Sequence, residues 1–316
     1  MTNSSPVKPH PVRGYLYIAA ATFLWGLTAS LGKAVFTHKL AAAQAPIDPL
    51  ILSQTRTTIS WLVLAPILLL LRGRKVLALT GRDFLRTLLL GTLGIAGSNY
   101  FYYLAIEKTT VATAIVLQYT APIWVLLYML GRHRQRPTLQ RVGAVGMAVA
   151  GSALAIGVFA QGRIKLDAVG IAAALAAALS FSFYNVYGHH LLETHDRWTI
   201  ILHTLMGAAL FWMVVNPPWK VLAAHYSGEQ WLFLAVFAML SMLLPFSFYF
   251  AGLQYLDATR AIVTSCLEPV FAILIAAAFL SEGLSPLQVV GVVAVLAATI
   301  VAQLPEKPRL PSSTTT

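Results

Sequence analysis

Three charged residues sit inside long apolar runs, and each could do chemistry there. Glu268 lies in TSCLEPVFAILIAAAFLSE, from Thr264 to Glu282, with Pro269 directly behind it. At 1.5 Å per residue from position 257 it falls roughly 17 Å into its run, near the middle of a bilayer. A charge at that depth costs at least about 2.5–3.5 kcal/mol, so it must face other helices or water. Pro269 removes a backbone donor and frees the carbonyl near Ser265, a break tolerated where it lines a cavity. Glu268 can carry a proton or bind a substrate ammonium, or be a structural carboxylate locked to a neighbouring helix. Arg56, in PLILSQTRTTISW, shares a helix face with Ser53 and Ser60. Its planar fork suits a carboxylate. It can equally pair with Glu268 as a gate, or sit as an interfacial arginine. Lys33, near the end of its run, can snorkel to headgroups or take part in gating.

A second set is aromatic and amide. Trp25 is mid-run. Asn99 and Tyr103 are four apart, with Tyr100 and Tyr102 alongside; Gln118 and Pro122 are four apart, as are Pro245 and Tyr249. Ser180, Tyr184 and Gly188 share a face. Each tyrosine alone fits packing or an interfacial belt. Together they fit an apolar pocket with a few polar groups, bent around Glu268 and Pro269. Trp198, Trp219 and Trp231 flank runs and belong to the belt.

Helices across a membrane must position these residues. Of 316 residues, 58% are hydrophobic and 10% charged, against about 25% charged in soluble domains. A net charge of +11 would elsewhere raise nucleic acid. Here the charges are few and lie between apolar runs. The lone Cys266 excludes an internal disulfide and reads as a small buried residue. Ten runs are long enough to span: 14–36, 49–71, 82–105, 109–131, 138–159, 167–190, 197–216, 229–253, 257–280 and 284–304. The first is too long for a signal peptide. Lys and Arg in the connections favour one side by 14 to 5. That bias places both tails, 1–13 and 305–316, in the cytoplasm.

The chain repeats itself. Pro122 and Pro269 are 147 residues apart, and TVATAIVLQYTAPIWVLL (110–127) then lies over DATRAIVTSCLEPVFAIL (257–274). LQRVGAVGMAVAG (139–151) faces LQVVGVVAVLAAT (287–299), and the run from Gly14 faces the run from Gly170. The halves are 14–159 and 160–304. Five spans each is an odd number, so the second half must enter from the opposite side, making an inverted repeat. Gly94 with Ser98 and Ala144 with Ala148 have the small-xxx-small spacing of packing positions.

ATFLWGLTASLGKAVF (21–36), TAPIWVLL (120–127) and LEPVFAILIAAAFLSEGLSPLQVVGVVAVLAA (267–298) resemble the EamA family of the drug/metabolite transporter superfamily. The resemblance runs from about 14 to 304. It implies an all-α carrier in the bacterial inner membrane, commonly an exporter of amino acids or other small metabolites, and is similar to the aromatic amino-acid exporters of that superfamily. The first half departs from the second at one end, with LGRHRQRP where the second has Leu280-Ser281-Glu282.

These readings converge on ten helices in two inverted five-helix repeats around a central cavity. The expected activity is alternating-access transport of a small amphipathic solute. Trp25, Arg56, Asn99, Tyr103, Gln118, Tyr184, Tyr249 and Glu268 are the expected binding set, and Glu268, Pro269 and Lys33 the coupling or gating set. The expected partners are a small-molecule substrate and the bilayer, without nucleic acid, in a monomer or homodimer. No cofactor or metal is expected. GxxxxGK[ST] and GxSxG are absent. His189, His190 and His195 read as a polar loop. The alternative is an intramembrane enzyme or flippase acting on lipid-linked substrates, but Asp48, Glu107, Asp167, Glu229 and Glu282 are too scattered to converge.

Overall fold

A computed structural model describes residues 10–36, 47–133, 138–157, 167–280 and 284–304, which hold helices and no strand. The first half contains α1 (Pro11–Phe36) and α2 (Pro49–Arg72). Next comes α3 (Gly81–Leu89), which runs through a π-helical stretch (Leu90–Ala96) into α4 (Gly97–Lys108). It ends with α5 (Val111–Gln118), α6 (Ala121–His133) and α7 (Leu139–Ile156). The second half contains α8 (Ala168–Leu192), α9 (Arg197–Val215) and the short α10 (Pro218–Ala223). Then α11 (Gly228–Ala238) runs through a π-helical stretch (Met239–Leu243) into α12 (Leu244–Leu253). It ends with α13 (Ala258–Ser265), α14 (Leu267–Leu280) and α15 (Pro286–Gln303).

Helix starts are fixed by side chains that take up otherwise unpaired N–H groups. Asp48 accepts from Leu50 and Ile51 at 2.7 and 3.2 Å, and Asp196 accepts from Trp198 and Thr199 at 3.0 and 3.4 Å. Ser227 with Gln230, and Ser285 with Gln288, form reciprocal caps.

Eight helical stretches among the described residues are long and apolar enough to cross a membrane. The two expected runs outside that set are α2 and α3–α4. Their polar content explains it: α2 carries Ser53, Gln54, Thr55, Arg56 and Thr57 in succession, and α3 opens on Gly81-Arg82-Asp83. The runs 109–131 and 257–280, each expected as one span, are broken: α5 stops before Tyr119 and Thr120, and α13 stops before Cys266. The prolines of the internal repeat, Pro122 and Pro269, follow these breaks in the first turns of α6 and α14. There a missing N–H costs least. Two expected connections are helical, RGRK within a 3₁₀ turn (Gly73–Leu77) and NPPWKVLAAHYSGEQ around α10.

The main helix pairings recur when the halves are exchanged. α1 packs on α12 and α14, as α8 packs on α4 and on α5 and α6; α2 packs on α9 and α7 on α15. The α7–α15 crossing is set by backbone contact. A methyl at Gly291 would stand 2.3 Å from the Ala155 nitrogen, and one at Gly151 2.9 Å from the Gly291 oxygen. Equivalent glutamines close its two ends: Gln140 donates to the carbonyls of Val301 and Leu304 at 2.8 and 2.7 Å, and Gln288 to that of Ala155 at 3.3 Å. The Tyr15 hydroxyl reaches the Ala302 carbonyl at 3.4 Å, so the starts of α1 and α7 and the end of α15 share one end of the bundle.

The small-residue pairs lie in packed interfaces. Gly94 faces Tyr184, Ser98 donates to the Ala177 carbonyl, and Ala144 and Ala148 are buried. Gly291→Ala should lower the thermal midpoint in detergent by the equivalent of about 1–3 kcal/mol, the usual cost of overpacking. Gly146→Ala, where a methyl meets nothing within 4 Å, should leave it equal or higher. Equal behaviour of the two variants would reject the backbone-contact account of this crossing.

Candidate functional site

Glu268 is the second residue of α14. The unpaired N–H groups and the dipole at a helix start favour a negative charge there. The break before Leu267 therefore creates a helix start inside the bundle and puts the carboxylate on it. The Tyr119 hydroxyl, at the equivalent break of the first half, faces this carboxylate. Tyr102, on α4, lies within electrostatic reach of Glu268, Arg56 and Tyr103, and its ring centroid is 5.7 Å from that of Tyr103. Glu268, Tyr102, Tyr103 and Tyr119 are all half-buried.

Arg56 comes from α2. One guanidinium nitrogen donates to the Asn99 side-chain oxygen, and the Asn99 amide donates to the Ile95 carbonyl at 2.8 Å. Ile95 lies in the π-helical stretch, so that stretch helps aim Asn99. Arg56 Nε is buried without a hydrogen-bond partner. Its neighbours Ser53 and Ser60 are fully buried, and Ser60 donates to the Ala238 carbonyl across to the second half. No ion pair joins Arg56 to Glu268 among the described residues, although the Arg56 charge reaches Glu268.

Beside this polar cluster lies an aromatic one. Trp25 packs on Phe246 and Tyr249 at 5.3 and 5.4 Å between ring centroids and on Phe181 at 6.4 Å. Tyr249 donates to the Asn185 side-chain oxygen at 2.5 Å. Tyr184 stacks on Phe181 and meets Phe250 edge-on. Trp25 is half-buried, whereas Tyr184 and Tyr249 are 1% and 0% exposed. The clusters join through α1: a methyl at Gly26 would stand 3.0 Å from the Glu268 carbonyl oxygen and 2.7 Å from the Ala272 nitrogen. Ser30, one turn on, donates to the Ala272 carbonyl at 3.1 Å.

Of the expected binding residues, the structure thus gathers Arg56, Asn99, Tyr103 and Glu268 in one cluster and Trp25, Tyr184 and Tyr249 in the adjoining one. Gln118 is turned to Ser98, donating at 3.2 Å, and ties α5 to α4. Pro269 is buried in the first turn of α14. Lys33 lies on α1, but its side chain is outside the described residues, as is Glu282. Tyr119 was not among the expected residues. Its signal was available: it aligns with Cys266 beside the repeated proline. The histidines are local: His189 meets the Leu253 carbonyl, His190 Glu193 and His195 Asp83. No group of three metal-binding side chains occurs among the described residues.

A family model described as the EamA-like transporter family matches residues 12–157 and again 168–303. The chain belongs to the EamA-like transporter family. It is a membrane transporter of that type, and the family takes small-molecule substrates. It is 21% identical to the "uncharacterized inner membrane transporter YicL" of Salmonella typhimurium, over 94% of this chain and 97% of that one. It is 29% identical to the threonine/homoserine exporter RhtA of Escherichia coli, over 66% of this chain and 68% of the relative. A solved crystal structure of another protein has the same fold, with a TM-score of 0.73 at 20% identity, covering 92% of this chain and 97% of that one.

Asn99→Ala removes the acceptor that holds Arg56 in this EamA-type bundle. Thermal stability in detergent should fall by about 1–3 kcal/mol, the cost of orphaning a buried donor. Added to Arg56→Leu, which removes the donor, it should cost clearly less than alone. Strict additivity in this double-mutant cycle would show that the two side chains do not depend on each other.

Proposed function

We propose that this protein exports amino acids or closely related amphipathic solutes across the bacterial inner membrane by alternating access. The observation that carries the reading is Arg56, a guanidinium with an unfilled donor, set within electrostatic reach of a carboxylate with which it forms no ion pair. A zwitterion matches both. Its carboxylate meets the fork of Arg56, and its ammonium meets Glu268. Asn99 and Tyr103 supply hydrogen bonds, Trp25 supplies the aromatic wall with Tyr184 and Tyr249 packed behind it, and Gln118 holds α5 in place. When no ammonium is bound, Glu268 takes up a proton, which makes it the coupling residue; Pro269 and Lys33 act in gating. The RhtA relative, named for export of two amino acids, supports the substrate class.

Alternating access needs two equivalent halves. The twofold family match and the exchangeable helix pairings support this. With α2 and α3–α4 also crossing the membrane, the halves (14–159 and 160–304) have five spans each and opposite orientation. The arginine-rich end of the bundle, which holds both chain ends, is then cytoplasmic. The protein is a carrier, not an enzyme.

The first test is a mass-spectrometric inventory of small metabolites outside cells producing the protein, against cells producing Glu268→Ala at equal membrane abundance. Accumulation of amino acids with the unmodified protein alone is the expected result. In proteoliposomes, Glu268→Gln should transport without the pH dependence of the unmodified protein; retained pH dependence rules out the coupling role. Arg56→Lys keeps the charge but loses the fork. Apparent affinity should weaken about tenfold, a loss of ~1.4 kcal/mol.

A further inference from the structure

The two halves match in helix order and pairing, but their counterpart helices differ in burial. α5 and α13 are equivalent half-helices that approach the central break from opposite ends. Every residue of α13 except Arg260 is buried, whereas of residues 113–118 in α5 only Ala114 is buried. The same contrast appears at the equivalent tyrosines. Tyr249 is 0% exposed and donates to Asn185, while its counterpart Tyr102 is half-buried. Beyond Tyr249, at the end where α13 begins, two ion pairs and a histidine–carboxylate contact join the halves. Arg72 meets Asp196 at 2.8 Å, Arg141 meets Asp257 at 3.8 Å, and the His195 ring meets Asp83 at 3.4 Å.

From this asymmetry we infer that the structure holds the arginine-rich end shut, with Tyr249 as the latch, and that Tyr102 is the corresponding latch of the opposite state. The inference rests on the alternating-access reading above and adds its gate residues. The closure has two layers. Nearest the centre, Tyr249 of α12 is held by Asn185 of α8 and packs under the ring of Trp25 of α1, its contact with the first half, so the floor of the site is the top of the gate. Further out, these contacts fasten α2, α3 and α7 of the first half to the residues before α9 and α13 of the second. These outer pairs are partly exposed, 44% and 46% at Arg72 and Asp196. Exposed pairs are weak singly. Several weak contacts suit a gate that must hold and also open. When the halves exchange roles, α13 opens and α5 closes, and Tyr102 becomes the buried member of the pair.

Two of the carboxylates also cap helices: Asp196 caps α9 and Asp257 caps α13. Asparagine caps as well as aspartate. Asp196→Asn and Asp257→Asn therefore remove charge while sparing the helix starts, and Tyr249→Phe removes the hydroxyl while keeping the ring. The probe is a membrane-impermeant thiol reagent on purified protein in a Cys266→Ser background. One cysteine is placed at Thr113 on α5, or at Thr259 on α13, whose buried hydroxyl has no partner to lose.

Before further change, the cysteine at 113 should react and that at 259 should be protected. With Tyr249→Phe, labelling at 259 should rise about three- to tenfold, the range given by one lost hydrogen bond, and labelling at 113 should fall. Asp196→Asn with Asp257→Asn should shift both in the same directions. The opposed changes separate gating from unfolding, which exposes both sites. A rise at both positions, or continued protection at 259 in both variants, overturns the inference. Solute flux by the unmodified protein is measured separately. Its absence would count against the carrier reading, and the labelling pattern would still decide the gate.

Discussion

Arg56 and Glu268 are opposite charges within one apolar bundle, and they are held near each other without pairing. A direct ion pair would have satisfied both groups and left a structural lock. Instead Arg56 leans on the neutral amide of Asn99 and keeps one donor unfilled, while Glu268 faces the neutral phenol of Tyr119. Neutral partners stabilise a charge less than an opposite charge does. Both residues therefore retain capacity for a third party. The rest of the fold supplies the means of holding this arrangement: α2 and α4 for the cation, α5 and α14 for the anion, and α1 wedged against α14 at Gly26.

Holding a carboxylate there requires a helix start, and a helix start inside an apolar bundle requires that the broken ends be satisfied. Turns do this in both halves: the N–H groups of Tyr119 and Thr120 donate to the carbonyls of Ile115 and Leu117 at 2.9 and 3.1 Å, and that of Cys266 to Val263 at 3.2 Å. Ser182, on α8, donates to the Ala121 carbonyl at 3.0 Å, next to the break between α5 and α6. At the break between α13 and α14, the Glu268 carbonyl faces Gly26 of α1, where the absence of a side chain lets backbone meet backbone. The π-helical stretches also recur in equivalent runs, at Leu90–Ala96 and Met239–Leu243. A widened turn re-aims the residues beyond it. In the first half these include Asn99, and in the second Phe246 and Tyr249.

Much of this was legible in the sequence, because charge in an apolar run has few destinations. Glu268 with Pro269 marked a break, and the break lies one turn earlier at Cys266. The repeat around Pro122 and Pro269 located both broken helices, although a break was expected only in the second. The cross-helix partners were not legible. Nothing in Asn99 or Arg56 alone says that one holds the other, since α2 and α4 meet only through the tertiary packing. Tyr184 and Tyr249 read as tyrosines with hydroxyls to offer a ligand. In the structure both are sealed in packed aromatics, because facing residues on α1, α8 and α12 cover them. The π-helical stretches left no periodicity signal, since one extra residue per turn is invisible in runs apolar on every face.

The duplicated frame carries each charged group once. The repeat sets Glu268 against Ala121 and Cys266 against Tyr119. Asp48 and Asp196 cap α2 and α9 in the same way, yet α2 carries Arg56 well inside it and no arginine lies within α9 beyond its first residue. On the proposed alternating-access reading, helix order and breaks recur because both halves would perform the same motion in opposite senses. The charged groups do not recur, because a second carboxylate and guanidinium would make a second site beside the first. One half supplies the cation and the hydroxyl, and the other supplies the anion. On that reading a solute that touches both is held across the plane on which the halves move, so binding and movement are coupled by geometry.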